Sequence, residues 1–297
     1  LLLLAVVAIW GSTFVLVKDA LNDASPMLFN LLRMTLAFLC LAVLYRKHLR
    51  NIQRPALVAG AIVGAALAAG YQFQTTGLAR TTPSKSAFIT GLVVVLVPLL
   101  SAIPFLRSKT MHLPRLNAWA GALLAFAGVV LLTTPGGVSF ATQFASINLG
   151  DLLSFGCAIG FALHVIALAH TSSHVDLPQL ATLQIGFCSL YMAATLPLEQ
   201  HIYLHPTPRL LIALLIAAVL ATAAAFTIQS WAQQFLPATH TALTLALEPL
   251  FAAVTSFLVL GERLHARAAW GAALILAGIA LTELFPPTVV ASAHESI

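Results

Sequence analysis

The chain has 297 residues, 60% of them hydrophobic and only 8% charged, with a formal net charge of +5. Soluble domains carry roughly 25% charged residues, and a globule of this size must present a polar exterior, so an ordinary soluble fold is excluded. The basic residues sit in short gaps between apolar runs, where membrane proteins carry orientation signals, which argues against a nucleic-acid-binding surface.

In chain order, the first apolar run covers 1–21. It has the length of a signal peptide, but Trp10, Gly11, Ser12 and Thr13 interrupt its centre, so it reads as a first membrane span. Runs of similar length follow at about 27–45, 56–78, 86–106, 116–133, 150–169, 178–197, 209–235, 239–260 and 266–285. A helix needs about 20 apolar residues to cross the hydrocarbon. Period-2 alternation is absent and the runs exceed barrel-strand length, so the expected fold is an all-α membrane protein with ten transmembrane helices. Breakers fill the gaps, among them Ser25-Pro26, Arg54-Pro55, Thr82-Pro83-Ser84, Pro135-Gly136-Gly137, Leu177-Pro178 and Pro237. Cys40, Cys157 and Cys188 lie inside apolar runs with no paired spacing, and the ten histidines are scattered, so neither disulfides nor a metal site is expected.

The expected organisation is a first five-helix repeat over 1–134, a connecting loop over 135–149, a second repeat over 150–285 and a polar tail over 286–297. The halves match in places. Gly121 to Gly128 reads like Gly271 to Gly278, 150 positions on, and Arg54, Gln74, Lys85, Ser86 and Ala87 match Arg209, Gln229, His240, Thr241 and Ala242, 155 positions on. Five spans per repeat force the second half to enter from the opposite side, giving the inverted repeats common in secondary transporters. Cytoplasmic termini place Arg46, Lys47, Arg50, Arg54, Arg107, Lys109 and Arg115 inside, as the positive-inside rule asks. Arg209, Arg263 and Arg267 then lie outside, against the rule.

Span nine carries Thr241, Thr244, Glu248 and Thr255 on one face at helical spacing. A carboxyl at this depth costs a few kcal/mol unless it is protonated, paired or facing water. Two readings fit Glu248: a cavity-facing acid, or a protonated group bonded to a neighbouring helix. Pro249 has no N–H, so the Leu245 carbonyl loses its helical partner; Pro98 in span four would free Val94 in the same way. Span eight presents Thr222, Phe226, Gln229 and Gln233 on one face, and span three presents Tyr71 and Gln74 at the matching places. Such amides suit a part-polar solute or interhelical hydrogen bonds. Arg33 in span two fits a substrate carboxylate, a structural ion pair or snorkelling, and His164 in span six fits a proton shuttle or a bonded core histidine. Lys85 and His240 read as interfacial anchors, and the glycine pairs at 60/64, 156/160, 121/128 and 271/278 as close-packing points or a dimer face. No Walker A loop and no protease motif appears.

Several of these residues together resemble the EamA-type branch of the drug/metabolite transporter superfamily. They are Trp10-Gly11-Ser12-Thr13-Phe14, Pro26 with Arg33 seven residues on, Thr82 to Phe88, Leu247-Glu248-Pro249-Leu250, Leu260-Gly261-Glu262-Arg263-Leu264 and Gly271 to Gly278. The resemblance implies two inverted five-helix repeats, cytoplasmic termini, a bacterial inner-membrane location and a central cavity lined by spans three, four, eight and nine. It puts Arg33, Glu248, Pro249, Gly261 and Glu262 on family-motif positions. The first half departs from the pattern, reading Val93-Val94 where a copy of Glu248-Pro249 would fall.

The expectation is a secondary transporter that moves a small metabolite, an amino acid or similar solute, by alternating access, with export favoured over uptake. The candidate substrate-binding residues are Glu248, Thr244, Thr241, Gln229, Gln233, Phe226, Gln74, Tyr71, Arg33 and His164. The partners are the solute and the lipid bilayer, with protons and a second copy of the chain as further candidates; no cofactor and no nucleic acid is expected. The alternative is a membrane-embedded enzyme or lipid-handling protein using Glu248 as acid and base.

Overall fold

A computed structural model describes residues 1–81, 86, 89–106, 116–133, 147–260 and 266–283. The expectations on Lys85, Gly261, Glu262, Arg263, the Pro135-Gly136-Gly137 breaker and the C-terminal tail lie outside these residues. Helices account for nearly all described secondary structure: α1 Leu2–Ala20, α2 Pro26–Leu44, α3 Arg54–Leu78, α4 Val93–Ser101, α5 Leu116–Thr133, α6 Leu149–Thr171 and α7 Leu177–Thr195. Then come α8, Pro208–Ala232, α9 Ala238–Leu245, α10 Glu248–Leu260 and α11 Ala266–Glu283. Among the described residues, five helices are long and apolar enough to cross a membrane: α2, α3, α6, α7 with its short extension to Leu198, and α8.

The breakers start helices rather than merely separating them. Pro26, Pro55, Pro178 and Pro208 occupy the first positions of α2, α3, α7 and α8, where a missing N–H costs nothing. Asn148 and Asp151 form a reciprocal capping box on α6: the Asn148 side chain accepts from Asp151 N–H (3.0 Å) and the Asp151 carboxylate from Asn148 N–H (3.1 Å).

Three runs that read as continuous helices are irregular. In span four, turn geometry at Gly91 and Leu92 separates the helical residues 89–90 from α4. In span nine, Ala246 and Leu247 separate α9 from α10. These interruptions fall 155 positions apart, and so do their hydrogen bonds: Leu92 N–H donates to the Ile89 carbonyl (3.1 Å) and Leu247 N–H to the Thr244 carbonyl (3.1 Å). Pro98, by contrast, is accommodated inside α4. The third irregularity is a π turn over Val219–Ala224 in the middle of α8.

Packing is closest where glycines meet. α5 crosses α11 at two levels, Gly121 against Gly278 and Gly128 against Gly271, and a Cβ on Gly128 would lie 2.5 Å from the Gly271 carbonyl oxygen. α3 lies against α7 through Gly60 and Gly64, and against α6 through Gly70 and Gly77, with Gly160 on the Gly70 backbone. The glycine pairs are therefore occupied by contacts within the chain. α2 packs on α7 and α8, α1 on α10, and α4 on α6 and α9.

Polarity is arranged inside out relative to a soluble protein. Asn30, Arg33, Thr75, His164, Gln184 and Gln229 are buried, whereas Leu39, Val43, Ile62, Leu190, Leu211 and Trp270 are exposed.

Loop contacts at opposite ends are among those that tie the first half of the chain to the second. At one end, the α1–α2 loop meets the segment before α8. Asp23 accepts from Thr207 Oγ1 (2.8 Å) and from Arg209 Nη2 (3.0 Å), and Glu199 accepts from Ser25 Oγ (2.8 Å) and from the first N–H groups of α2. At the other, the α2–α3 connection meets α7. His48 Nδ1 lies 3.1 Å from Asp176, and Gln179 Nε2 donates to the His48 carbonyl (2.9 Å) and the Asn51 carbonyl (3.1 Å).

Candidate functional site

A cavity of about 170 Å³ opens between the halves, with walls from α1, α2, α3, α4, α6, α8, α9 and α10. Both helix interruptions border it, through Thr90 and Gly91 on one side and Leu245, Ala246, Glu248 and Pro249 on the other. Each interruption leaves a carbonyl without its usual helical donor. Pro249 cannot donate to Leu245, and Val94 N–H turns to Gly91 (3.2 Å) rather than one residue further back to Thr90. Glu248 stands at the first position of α10, so the positive end of that helix's dipole lies beside its carboxylate. Interrupted helices at corresponding places in two halves are a physical pointer to a binding site, because their free carbonyls and dipole ends can hold charge away from water.

Arg33 reaches the cavity from α2 and is 5% exposed. It donates from Nε to Thr222 Oγ1 (2.6 Å) and from Nη2 to Tyr71 Oη (3.1 Å) and the Ala221 carbonyl (3.0 Å). The π turn in α8 makes this possible. Thr222 Oγ1 donates back to the Ala217 carbonyl (2.8 Å), and the buried Ala221 carbonyl also accepts from Trp10 Nε1 (2.8 Å). Arg33 is thus neither snorkelling nor ion-paired within the described residues. A buried guanidinium held by neutral groups has charge to offer an anion. Glu248 shares its cavity, within electrostatic range.

Tyr71, Gln74, His164, Phe226 and Gln229 also line the cavity. Phe226 forms an aromatic wall with Trp10, Tyr71 and His164, at ring centroid distances of 5.3, 6.1 and 5.4 Å. Three candidates point elsewhere. Gln233 donates to the Val165 carbonyl (2.8 Å), Thr244 Oγ1 donates back to His240 (3.0 Å), and Thr241 is fully buried outside the lining with its hydroxyl unpartnered. Trp10, Thr13, Ser86, Thr90 and Phe161 line the cavity without having been singled out for binding. Trp10 and Thr13 had a signal, as polar residues in the middle of an apolar run. Among the described residues, no cluster of His, Cys, Asp and Glu could hold a metal ion.

The cavity is asymmetric along its axis. Val17, Thr75, Leu78 and Ser86 carry the lining toward the end where α1 and α3 finish. Toward the opposite end, the C-termini of α6 and α8 are tied together: Ser172 Oγ donates to the Gln233 carbonyl (2.9 Å), and Gln234 Nε2 to the Ser172 carbonyl (2.8 Å).

A family model described as the EamA-like transporter family matches residues 1–134 and 148–284. An uncharacterized transporter of Archaeoglobus fulgidus is 33% identical over 282 residues, covering 95% of this chain and 84% of the relative. A second from that organism is 26% identical over 293 residues, with 95% and 96% covered. The uncharacterized transporter YvbV of Bacillus subtilis is 28% identical over 196 residues, 65% of this chain and 60% of the relative. A solved structure described only as a crystal structure of protein shares the fold, with a TM-score of 0.75 at 20% identity over 95% of this chain and 96% of that one.

Proposed function

The chain belongs to the EamA-like transporter family and is a multi-pass membrane transporter of a small solute, and from that premise we propose that it exports a zwitterionic metabolite, an amino acid or close relative, by alternating access. The observation that carries this reading is the pair of opposite charges, Arg33 and Glu248, on one cavity at the helix interruptions. A solute carboxylate meets the guanidinium and its ammonium meets Glu248 and the Leu245 carbonyl. A solute with one charge leaves the other buried group unmatched, at a cost of a few kcal/mol.

Ten spans in two inverted repeats, 1–134 and 150–285, give this site its means of moving. Counting α9 and α10 as span nine and α11 as span ten, the helix contacts support the repeat when the halves are exchanged. The α3–α7 contact maps onto α8–α2, and α1–α10 onto α6–α4, while α5–α11 and α2–α7 map onto themselves. Cytoplasmic termini fit the charges at the two ends. Arg46, Lys47, Arg50 and Arg54 gather at the end bearing the α2–α3 connection, while Arg209 at the opposite end is engaged by Asp19 and Asp23. In that orientation the cavity faces outward, and the Ser172–Gln233–Gln234 tie closes the cytoplasmic side. A bacterial inner-membrane location and the export direction follow the family resemblance. Glu248 is the group through which proton coupling would act, and a second copy of the chain is not required by the site.

Counterflow in proteoliposomes tests the reading. Preloading with an amino acid should drive accumulation of labelled amino acid, while the matching amine and carboxylic acid should compete poorly. Equal competition by either singly charged analogue would remove the zwitterion reading, and conversion of the solute without accumulation would favour the enzyme.

A further inference from the structure

Two hydrogen-bond chains end at the cavity wall, and backbone carbonyls fix the direction of each. A peptide carbonyl only accepts. The Val165 carbonyl takes its hydrogen from Gln233 Nε2 (2.8 Å), so the Gln233 amide turns Oε1 the other way, where it accepts from Gln229 Nε2 (3.1 Å). Turning the Gln233 amide over would set two oxygens against each other at that first contact. The chain therefore ends on Gln229 Oε1, which is buried and has no partner. In the second chain, Ser230 Oγ donates to the Phe226 carbonyl (2.6 Å) and must accept from Gln184 Nε2 (2.8 Å). Gln184 Oε1 then faces His164 Nε2 (3.2 Å), which must carry the hydrogen. In the neutral ring the lone pair is left on Nδ1, which has no protein partner among the described residues.

Gln229 and His164 both line the cavity, on facing helices, with the Phe226 ring edge-on to the imidazole at 5.4 Å. Both chains thus end in an acceptor, and neither can reverse without breaking its anchor on a carbonyl. Gln229 Oε1, a buried acceptor with no partner, is costly until a donor arrives. We propose that Gln229 Oε1 and His164 Nδ1 form a subsite that selects solutes carrying an N–H or O–H group in addition to the ammonium held by Glu248. The subsite rests on the zwitterion reading only for where the ammonium lies. Gln233, Gln184 and Ser230 are its positioning residues, since each acts by fixing the amide or ring that follows.

Three pairs of probes in which a hydroxyl replaces a methyl test this: threonine with valine, ethanolamine with propylamine, and lactate with isobutyrate. Binding is read from ligand-dependent thermal stabilisation of the purified full chain. Sites built to hydrogen-bond a hydroxyl reject the analogue lacking it strongly, so threonine should bind at least about ten-fold tighter than valine. The Gln229→Met, His164→Phe double variant should bring threonine down to the level of valine. Discrimination in the ethanolamine or lactate pair, with neither amino acid bound, keeps the subsite and removes the zwitterion reading. A ratio near one in every pair overturns the subsite, as does a variant that weakens threonine and valine equally. The wild-type ratios can overturn the subsite even where the variant fails to fold.

Discussion

Substituting alanine for Gly128 adds one carbon at the tightest kind of contact in the fold. Its Cβ would lie 2.5 Å from the Gly271 carbonyl oxygen, 2.7 Å from Ile275 Cγ1 and 2.8 Å from Ile275 N. Two of those three atoms are backbone, so no rotamer change relieves the collision and the helices must part by about 1 Å. A gap of that size forfeits a quarter to a half of each dispersion contact along the crossing. Overpacking of this kind costs about 1–3 kcal/mol, and the backbone origin of the clash puts Gly128→Ala toward the upper figure. Gly278→Ala should behave alike, because its Cβ meets the Gly121 carbonyl and Ala125 N (2.9 Å) at the other level of the same crossing. Gly156→Ala is the control: its nearest neighbours are ring atoms of Phe73 at 3.1–3.4 Å, which can move. Thermal unfolding in detergent, followed by size-exclusion recovery, should rank Gly156→Ala close to wild type and the other two well below it. Equal midpoints for all three would refute the reasoning that these glycines close the α5–α11 crossing.

Arg33→Lys keeps the charge but loses the planar fork, and each lost charged hydrogen bond is worth about 1.5–3 kcal/mol; affinity for carboxylate-bearing solutes should fall about ten-fold or more in a binding titration, with amine-only solutes unaffected. The Thr207 hydrogen bond, and then Arg209, hold the Asp23 carboxyl below its ordinary 3.8. Its contribution to stability is therefore fully present above that pH and lost as pH falls through the lower folded-state value. Asp23→Asn should flatten that part of the acid unfolding profile; an unchanged profile contradicts the assignment. Ser172→Val with Gln234→Leu removes the tie at the closed end, and cysteines placed near Val165 should then become more reactive from the cytoplasmic side, whereas unchanged labelling would deny the tie a sealing role.

The helices and their starts were legible because apolar runs and N-terminal prolines act locally. Arg33 and Glu248 stood out because charge is rare in such runs, whatever surrounds it. The interruption at Gly91 was not legible directly, since no proline marks it and Val93-Val94 suggests an unbroken helix. Its trace lay only in the 155-residue offset to Ala246 and Leu247. The π turn in α8 falls in an alanine-rich stretch whose only mark is Thr222, so the docking of Arg33 and Trp10 on the Ala221 carbonyl needed the fold. Helical spacing placed Gln233 one turn beyond Gln229 on the same face, yet its amide is taken by Val165 on α6, a partner that periodicity does not reveal.

The most direct measurement of the central claim is solute binding and counterflow by Glu248→Gln, which keeps the side chain's shape and removes its charge. Wild type should bind an amino acid more tightly than its deaminated or decarboxylated analogue. In Glu248→Gln, amino-acid affinity should fall about ten-fold to a hundred-fold, to near that of the carboxylate-only analogue, as loss of a buried charged contact requires. Counterflow should fall with it. Normal transport by the variant, with unchanged affinity and unchanged response to pH, would make Glu248 a structural hydrogen-bonding group and contradict the account.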